Sequence, residues 1–269
     1  MEYECHWESN DGCSTADGGD CRLTDNHFMS DIIDILSSPV LPHVKLSTNV
    51  TSINYTSAVS TITCPSLPTQ ILARRVVVTV PVKVLQDGDI EFVPPLPPSK
   101  TEALNLYGME DAVKMFLVFR APVWPEKVQN CIISNSPIPE MWFRKCLKTN
   151  YHVCCCFATA GYAAQLKQMG EEKAVGLALS LLNEMFSLSS HAHFLESSLI
   201  CWSDVSSIRG GYSYPKVGIS RESVEEIQQP IDNKLFFAGE ATHTGAAMTM
   251  HAAMETGILV AKKIEASSS

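Results

Sequence analysis

Short runs of β-branched and aromatic residues predict strands at several places along the chain. The run 74–80 shows no clear alternation of apolar and polar residues, which predicts a strand buried on both faces, as in a parallel sheet. Pro81 ends this run. Another buried strand begins at Leu235 and ends in a glycine and an acidic residue. Further strands are predicted at 44–46, 50–55, 59–63 and 113–119.

Apolar residues spaced three and four positions apart predict helices between the strands. The helix predicted over about 171–186 begins with two glutamates, whose charges suit the positive end of the helix dipole. Shorter helices are predicted after a cap at Asp25 or its neighbour, and over about 99–107. The last helix begins at about Met250, so the chain is predicted to be α/β. Its predicted buried face consists of Met250, Ala253, Met254, Gly257, Ile258, Ala261 and Ile264.

The proline-rich segment from Phe92 to Pro98 predicts a stiff, extended crossing between two domains. We therefore predict a discontinuous first domain built from residues 26–81 and 226–265. A second domain of mixed α+β structure is predicted at 82–225, inserted into the first. Residues 1–25 are rich in Gly, Asp and Cys and are predicted to be a loop-rich segment.

Composition and charge narrow the classes of function. The chain has 269 residues, of which 45% are hydrophobic and 18% charged, as in an ordinary globular protein. The formal charge of −9 argues against a nucleic-acid surface, which needs clustered Lys and Arg, and is compatible with a cationic ligand. No apolar run approaches the roughly 20 residues that span a bilayer, and we expect a cytoplasmic protein that does not contact membranes.

The ten cysteines include no C-x-x-C pair. Cys5, Cys13 and Cys21 recur every eight residues, but structural zinc ligands usually come in tight pairs, so a zinc site is the less favoured alternative. The cysteines are predicted to be free thiols, and no metal site is predicted.

The strand, turn and helix near the C-terminus form the first candidate site. Small residues at the joint place backbone N–H groups at the edge of a sheet, and a helix start favours negative charge by about 0.3–1 kcal/mol when exposed. From this pattern alone, an ordinary βα unit is an equal alternative.

Four ordered segments carry a more specific signal. They are Gly239-Glu240-Ala241-Thr242 with Thr249-Met250-His251-Ala252-Ala253 and Glu255-Thr256-Gly257, Val76–Pro81 with Phe92–Pro98, Lys114 with Trp124-Pro125, and Trp202 with Arg209–Tyr214. In their order along the chain, these segments resemble those of the flavin-containing amine oxidases, which include polyamine and spermine oxidases, monoamine oxidases and lysine-specific histone demethylases. The resemblance extends over about residues 44–264.

The resemblance implies a partial FAD-binding, Rossmann-like domain at 26–81 and 226–265, with the substrate-binding domain inserted at 82–225. It implies hydride transfer from the α-carbon of an amine, with a polyamine favoured, to FAD, which dioxygen reoxidises to give hydrogen peroxide. Lys114 and Tyr212 are the implied catalytic residues, Lys114 near the flavin and Tyr212 as a wall of an aromatic cage. The implied cofactor-binding residues are Val50, Trp202, Gly239, Glu240, Thr249 and Met250.

The sequence also departs from the family pattern. Thr249 stands where monoamine oxidases have a second cage tyrosine, which makes a monoamine substrate less favoured, and Ala252 replaces a common glycine. The chain contains no G-x-G-x-x-G segment. We therefore expect a truncated form with an incomplete FAD site, or a partner chain that supplies the missing half. The alternatives are a catalytically inactive fragment that acts as a binding or regulatory protein, a histone lysine demethylase-like oxidase, or another flavoprotein of the superfamily.

Overall fold

A computed structural model describes residues 29–146, 149–187 and 189–267, together with the backbone of 3–7. The strands, in chain order, are β1 (Tyr3–Trp7), β2 (Ser52–Asn54), β3 (Ser60–Thr63), β4 (Ile71–Ala73), β5 (Val76–Val78), β6 (Glu91–Val93), β7 (Tyr107–Met109), β8 (Ala112–Phe119), β9 (Val128–Ile133), β10 (Glu140–Lys145), β11 (His152–Thr159), β12 (Phe194–Cys201), β13 (Ser213–Pro215) and β14 (Leu235–Phe237). The helices are α1 (Met29–Ser37), α2 (Val82–Gln86), α3 (Pro98–Asn105), α4 (Ala160–Met169), α5 (Glu171–Phe186), α6 (Ser190–His193), α7 (Arg221–Gln228) and α8 (Met250–Ala266). Short 3₁₀ turns occur at Leu41–His43, Trp202–Asp204 and Glu240–Thr242.

The chain divides into two compact units at positions that differ from the predicted boundaries. The first unit contains residues up to 44 and 111–201, and the second contains 45–110 and 202–269. The predicted boundary at the proline-rich segment is therefore not where the units separate. The reason is that α3, which follows this segment, packs against α7 and shares a core with α2 in the second unit. The roles assigned to the predicted domains stay predictions.

The first unit is built on a six-stranded antiparallel sheet in the order β1-β9-β10-β11-β8-β12. The side chains of β8 alternate, so that Val113, Met115, Leu117 and Phe119 enter a core shared with α4 and α5. The helix predicted over 171–186 is confirmed as α5. The residues 3–7 form β1, which pairs with β9, so the prediction of a loop is wrong there. The remaining residues of this predicted segment, 8–25, include Cys13 and Cys21 and lie outside the described residues.

None of the cysteine side chains that the structure describes forms a disulfide bond. The side chains of Cys154 and Cys156 point to the same side of β11, with their sulfur atoms 3.9 Å apart, whereas Cys155 points to the opposite side. Within the described ranges, no group of three His, Cys, Asp or Glu side chains is arranged to hold a metal ion. In the same ranges, no helix is long and apolar enough to cross a membrane.

The second unit contains the parallel pair β14–β5, a four-stranded sheet in the order β4-β3-β2-β6, and the antiparallel pair β13–β7. The predicted parallel pairing of the 74–80 strand is confirmed. Its predicted burial on both faces is wrong at Val77, which is 41% exposed. The strand β5 belongs to a two-stranded sheet, in which β14 is its described neighbour. The strand predicted at 44–46 does not form.

Helix α8 begins at Met250 as predicted, but it buries a different face. The buried residues are Ala252, Thr256 and Val260, which are spaced four apart. Val260 packs against Phe236 of β14 and against Ala238. Met250 and Met254, predicted to be buried, are 56% and 51% exposed. This face of α8 points towards β14 because the hydroxyl of Thr256 binds the backbone N–H of Gly239, just after the strand.

Candidate functional site

The site begins where β14 ends. Gly239 follows the strand with a φ of +144°, a backbone conformation that side chains rarely allow. Its N–H donates to the hydroxyl of Thr256, 3.0 Å away, and this hydroxyl lies 3.0 Å from the carbonyl oxygen of Ala252, to which it can donate. Thr256 is 3% exposed and joins α8 to the end of β14. We did not predict this role, although a hydroxyl residue one helical turn after the small residue Ala252 was the available signal.

The first turn of α8 faces the same region. Thr249 is the N-cap, and its hydroxyl accepts a hydrogen bond from the N–H of Ala252 at 3.3 Å. The N–H groups of Met250 and His251 have no acceptor among the described residues. This is expected for the start of a helix, and it leaves these donors for solvent or for a ligand with an electron-rich edge.

The carboxylate of Glu240 connects three segments. One oxygen accepts a hydrogen bond from the N–H of Ser213 at 3.1 Å, and the other accepts from the hydroxyl of Ser213 and from the N–H of Met248, both at 2.8 Å. Burial, with a smaller contribution from Glu240, raises the pKa of Tyr107 to about 12. Through its three hydrogen bonds, Glu240 fixes β13 and the loop before α8 to the end of β14.

The loop between Glu240 and α8 is organised by His243. Its Nδ1 atom accepts hydrogen bonds from the N–H groups of Gly245 at 3.0 Å and Ala246 at 2.8 Å. Because Nδ1 accepts, Nε2 carries a proton and donates to the carboxylate of Glu255, 2.9 Å away. We did not predict His243, whose role depends on contacts across the loop.

These elements surround a cavity of about 240 Å³ in the second unit. It lies at the carboxyl ends of the parallel strands β5 and β14 and has mainly apolar walls. The lining includes Val78, Val80, Met109, Tyr212, Gly239 and Glu240. In open α/β sheets, ligands bind in crevices at the carboxyl ends of strands.

Three of the predicted site residues, Tyr212, Gly239 and Glu240, meet at this cavity. Thr249 and Met250 lie at the start of α8, next to Met248 and its bond to Glu240, but are not in the cavity lining. Val50 is half-buried before β2, where it packs on the core around Ile53 and Phe237. Trp202 is half-buried in its 3₁₀ turn and is also absent from the lining.

Lys114 belongs to the first unit and lies on the interior strand β8, between β11 and β12. An alternative interpretation, in which Lys114 lies on the solvent-facing side of an edge strand, is wrong because β8 has a neighbouring strand on both sides. The Nζ atom is 5.2 Å from the ring centroid of Trp142 and 5.6 Å from that of Phe157, and the two rings stack at 5.1 Å. These aromatic side chains attract the ammonium group through the faces of their rings. The neighbouring thiol of Cys155 has its pKa raised to about 12, mainly by burial, with Lys114 opposing this rise.

Comparison with known proteins agrees with the fold. Residues 6–265 match the flavin containing amine oxidoreductase family. Polyamine oxidase 2 of Arabidopsis thaliana is 32% identical over 193 residues, which cover 71% of this chain and 39% of the relative. Lysine-specific histone demethylase 1B of Mus musculus is 29% identical over 283 residues, which cover 99% of this chain and 34% of the relative. The chain thus spans well under half the length of these relatives.

A solved structure of wild-type putrescine oxidase bound to putrescine has the same fold over the matched region. Its TM-score is 0.78 at 16% identity, with 88% of this chain and 53% of that chain covered. The predicted α/β fold with a partial FAD-binding domain is confirmed by this likeness together with the family match. The chain therefore belongs to the flavin-containing amine oxidoreductase family.

Proposed function

We propose that this chain takes part in the FAD-dependent oxidation of amines, with a polyamine as the favoured substrate, and that its cavity receives the flavin ring. The observation that carries this proposal is the cavity at the carboxyl ends of β5 and β14, beside the unpaired N–H groups at the start of α8. The second unit would be the partial FAD-binding domain, and the first unit would contribute to substrate binding.

The residues at the cavity fit part of this cofactor. Apolar walls suit the faces of a flat ring, and N–H donors at a helix start suit its electron-rich edge. A side-chain carbon at Gly239 would meet no atom within 4 Å, so the backbone there is open to a ligand. The sequence has no G-x-G-x-x-G loop for the pyrophosphate, so the fit covers the ring and its neighbouring groups.

When bound, FAD would accept two electrons from the amine, and dioxygen would then reoxidise the flavin and be reduced to hydrogen peroxide. The start of α8, capped by Thr249, would stabilise negative charge at the ring edge near Met250. Glu240 would orient hydrogen-bond donors around the cofactor through Ser213 and Met248, and its free lone pairs would face the ribityl-pyrophosphate region. Val50 would contact the adenine, and Trp202 would pack near the ring.

The catalytic roles are assigned to Tyr212 and Lys114. Tyr212 is 42% exposed and lines the cavity, where its ring would orient an amine through cation–π attraction. Lys114, held over Trp142 and Phe157, would place an ammonium group for oxygen handling or proton relay. A cationic polyamine suits the net charge of −9 and the threonine at position 249.

We further propose that another polypeptide segment completes the FAD site, either from a longer form of this protein or from a partner chain. The exposed apolar side chains of Met250, Met254 and Ile258 on α8, together with Val77 on β5, support a polypeptide partner that continues the parallel sheet. The limited share of the relatives' length that the chain covers supports the same conclusion.

A histone lysine demethylase-like oxidase is the second candidate. The observation that supports this second candidate is that the match to the mouse demethylase covers 99% of this chain, against 71% for the plant polyamine oxidase. The two candidates share the chemistry at the flavin and differ in the amine, so a methylated lysine peptide and spermine separate them.

The first experiment is an absorbance spectrum of the purified chain with and without added FAD. A bound-flavin spectrum that spermine bleaches without oxygen, with peroxide formed on readmitting air, supports the proposal. Bleaching by a dimethyl-lysine peptide alone supports the second candidate. A colourless protein that never perturbs added FAD contradicts flavin binding by this chain alone, and it supports the inactive, regulatory fragment unless co-expressed partners restore the spectrum.

A matched pair of variants tests whether the amine binds beside Tyr212. Tyr212→Leu removes the aromatic ring at the cavity, whereas Tyr162→Leu removes a ring of nearly the same exposure, 43% against 42%, in the first unit. Tyr212→Leu should raise the amine concentration needed for bleaching, and Tyr162→Leu should leave it unchanged. Equal effects of the two leucine variants would contradict the proposed cage. The location in the cytoplasm stays a prediction that imaging of the tagged protein tests.

A further inference from the structure

We propose that Arg209, clamped by Asp87 and Asp89, is a positioning residue that fixes Tyr212 at the cavity. What Tyr212 does there rests on the proposed function, but its fixation by the clamp does not. The inference concerns the segment 209–213, whose two ends are attached to different elements of the second unit.

The guanidinium group of Arg209 makes several hydrogen bonds at one end of this segment. Nη1 donates to Asp87 at 2.8 Å and to Asp89 at 3.1 Å, and Nη2 donates to the second oxygen of Asp89. Nε donates to the carbonyl of Ser206 at 2.8 Å. The planar fork thus binds two carboxylates at once, an arrangement that a lysine cannot reproduce.

An isolated surface ion pair would stabilise this arrangement only weakly, because water screens the attraction between exposed charges. This one differs in geometry, since Asp89 is bound through both oxygens and Asp87 is also held by Lys83 at 2.5 Å. The side chains of Arg209, Asp87 and Asp89 are only 29%, 30% and 36% exposed. The hydrogen bonds from Lys83 and Arg209 lower the pKa of Asp87, which keeps the carboxylate ionised.

The middle of the segment lies directly against β7. A side-chain carbon at Gly210 would stand 2.7 Å from Cγ of Met109 and 3.0 Å from the carbonyl oxygen of Glu110, so only glycine fits. The N–H of Gly211 donates to the same carbonyl at 3.0 Å. The two glycines therefore let the backbone approach β7 closely just before Tyr212.

The other end is fixed by Ser213, through Glu240, and by Tyr214, whose hydroxyl donates to the carboxylate of Glu110 at 2.7 Å. Tyr212 lies between these attachments and lines the cavity. Because the flanking backbone is held on both sides, the ring needs little ordering when a ligand arrives. Release of the Arg209 end would free the backbone that precedes Tyr212.

Labelling with 3-fluorotyrosine tests this without any need for bound flavin. The chain has seven tyrosines, and the fluorine resonance of Tyr212 is identified by its loss in Tyr212→Phe. Arg209 has a φ of 62°, so Arg209→Asn is the appropriate variant, because asparagine tolerates this conformation. Asp89→Asn removes the negative charge and one of the two acceptor oxygens, and asparagine has a backbone preference similar to that of aspartate. Arg221→Ala is the control, since it breaks an exposed pair with Glu225 in the same unit.

In the wild-type chain we expect the Tyr212 resonance to lie away from its position in urea. In Arg209→Asn and Asp89→Asn it should shift towards the urea position while the other tyrosines keep theirs. Arg209→Lys should give a smaller shift in the same direction, and Arg221→Ala should give none. A Tyr212 resonance that stays in place in both asparagine variants, or that already has its urea position in the wild type, would overturn the inference. If Arg209→Asn does not fold, Asp89→Asn decides alone. Failure of FAD to bind, measured separately by absorbance, would refute the proposed function and leave this result standing.

Discussion

Lys100 allows a quantitative prediction, because it is a buried cation with a defined set of partners. It is 1% exposed, and its Nζ atom donates to the carbonyls of Glu226, Ile227 and Gln229 at 2.5, 3.0 and 2.9 Å. These carbonyls end α7, where the helix dipole attracts a positive charge. Burial lowers the pKa of Lys100 from 10.5 to about 8, and the negative charge of Glu226 partly opposes this change.

The sign of the pH dependence follows from this lowered pKa. Between about pH 8 and 10.5 the unfolded chain binds the lysine proton more tightly than the folded chain does, so the free energy of unfolding rises with pH. From pH 7 to pH 10, the two pKa values give a gain of at most about 2.5 kcal/mol. Above pH 10 the raised pKa of Tyr107 acts in the opposite direction, so pH 10 is the upper limit of the measurement.

The perturbation is Lys100→Met, which keeps the length of the side chain and removes its charge. At pH 7 we expect it to lower the free energy of unfolding by about 1–3 kcal/mol, because buried carbonyls lose their donors. The loss should grow by up to about 2.5 kcal/mol by pH 10. The reason is that the titration of Lys100 raises the free energy of unfolding of the wild type with pH, whereas the variant lacks this group.

The assay is amide hydrogen exchange of peptides from α7, measured by mass spectrometry at matched pH values. Comparison of variant and wild type at each pH removes the intrinsic dependence of exchange on pH, and protection factors give the free energy of opening. The control is Lys262→Met, which removes an exposed lysine from α8. A difference between wild type and Lys100→Met that stays constant from pH 7 to pH 10 would refute the argument, as would a difference that shrinks.

Four further substitutions test other parts of the second unit and of β8. Gly108→Ala should destabilise the protein by at least about 2 kcal/mol in urea unfolding, since the new carbon would lie 2.1 Å from the ring of Tyr214. Glu240→Gln should cost about 1–3 kcal/mol, because one amide oxygen cannot accept all three hydrogen bonds; no change would contradict its structural role. Thr256→Val leaves the N–H at the end of β14 unpaired and should lower the melting temperature. If the chain binds flavin, Lys114→Met should slow reoxidation in stopped flow more than it weakens flavin binding, and equal losses would count against its role.

Local signals in the sequence determined several elements correctly. The β-branched run before Pro81 predicted a parallel strand, and β5 pairs in parallel with β14. The helix from Met250 starts at its predicted residue, because Thr249 is a good N-cap and the following residues favour a helix. The motif around Glu240 also identified the region in which Tyr212 and Gly239 meet. These features depend on residues close together in the chain, so the sequence shows them directly.

Only the tertiary structure decided how those elements are held. Lys100 meets the end of α7 across 126 or more positions of sequence, and Arg209 meets Asp89 across 120, distances at which no local pattern predicts a partner. The buried face of α8 is set by the bond from Gly239 to Thr256 and not by the most apolar stripe, since an unpaired backbone N–H costs about as much as the exposure of an apolar side chain. Hydrophobic spacing thus determined which segments form helices and strands, whereas long-range hydrogen bonds and charge pairing determined which way their side chains point.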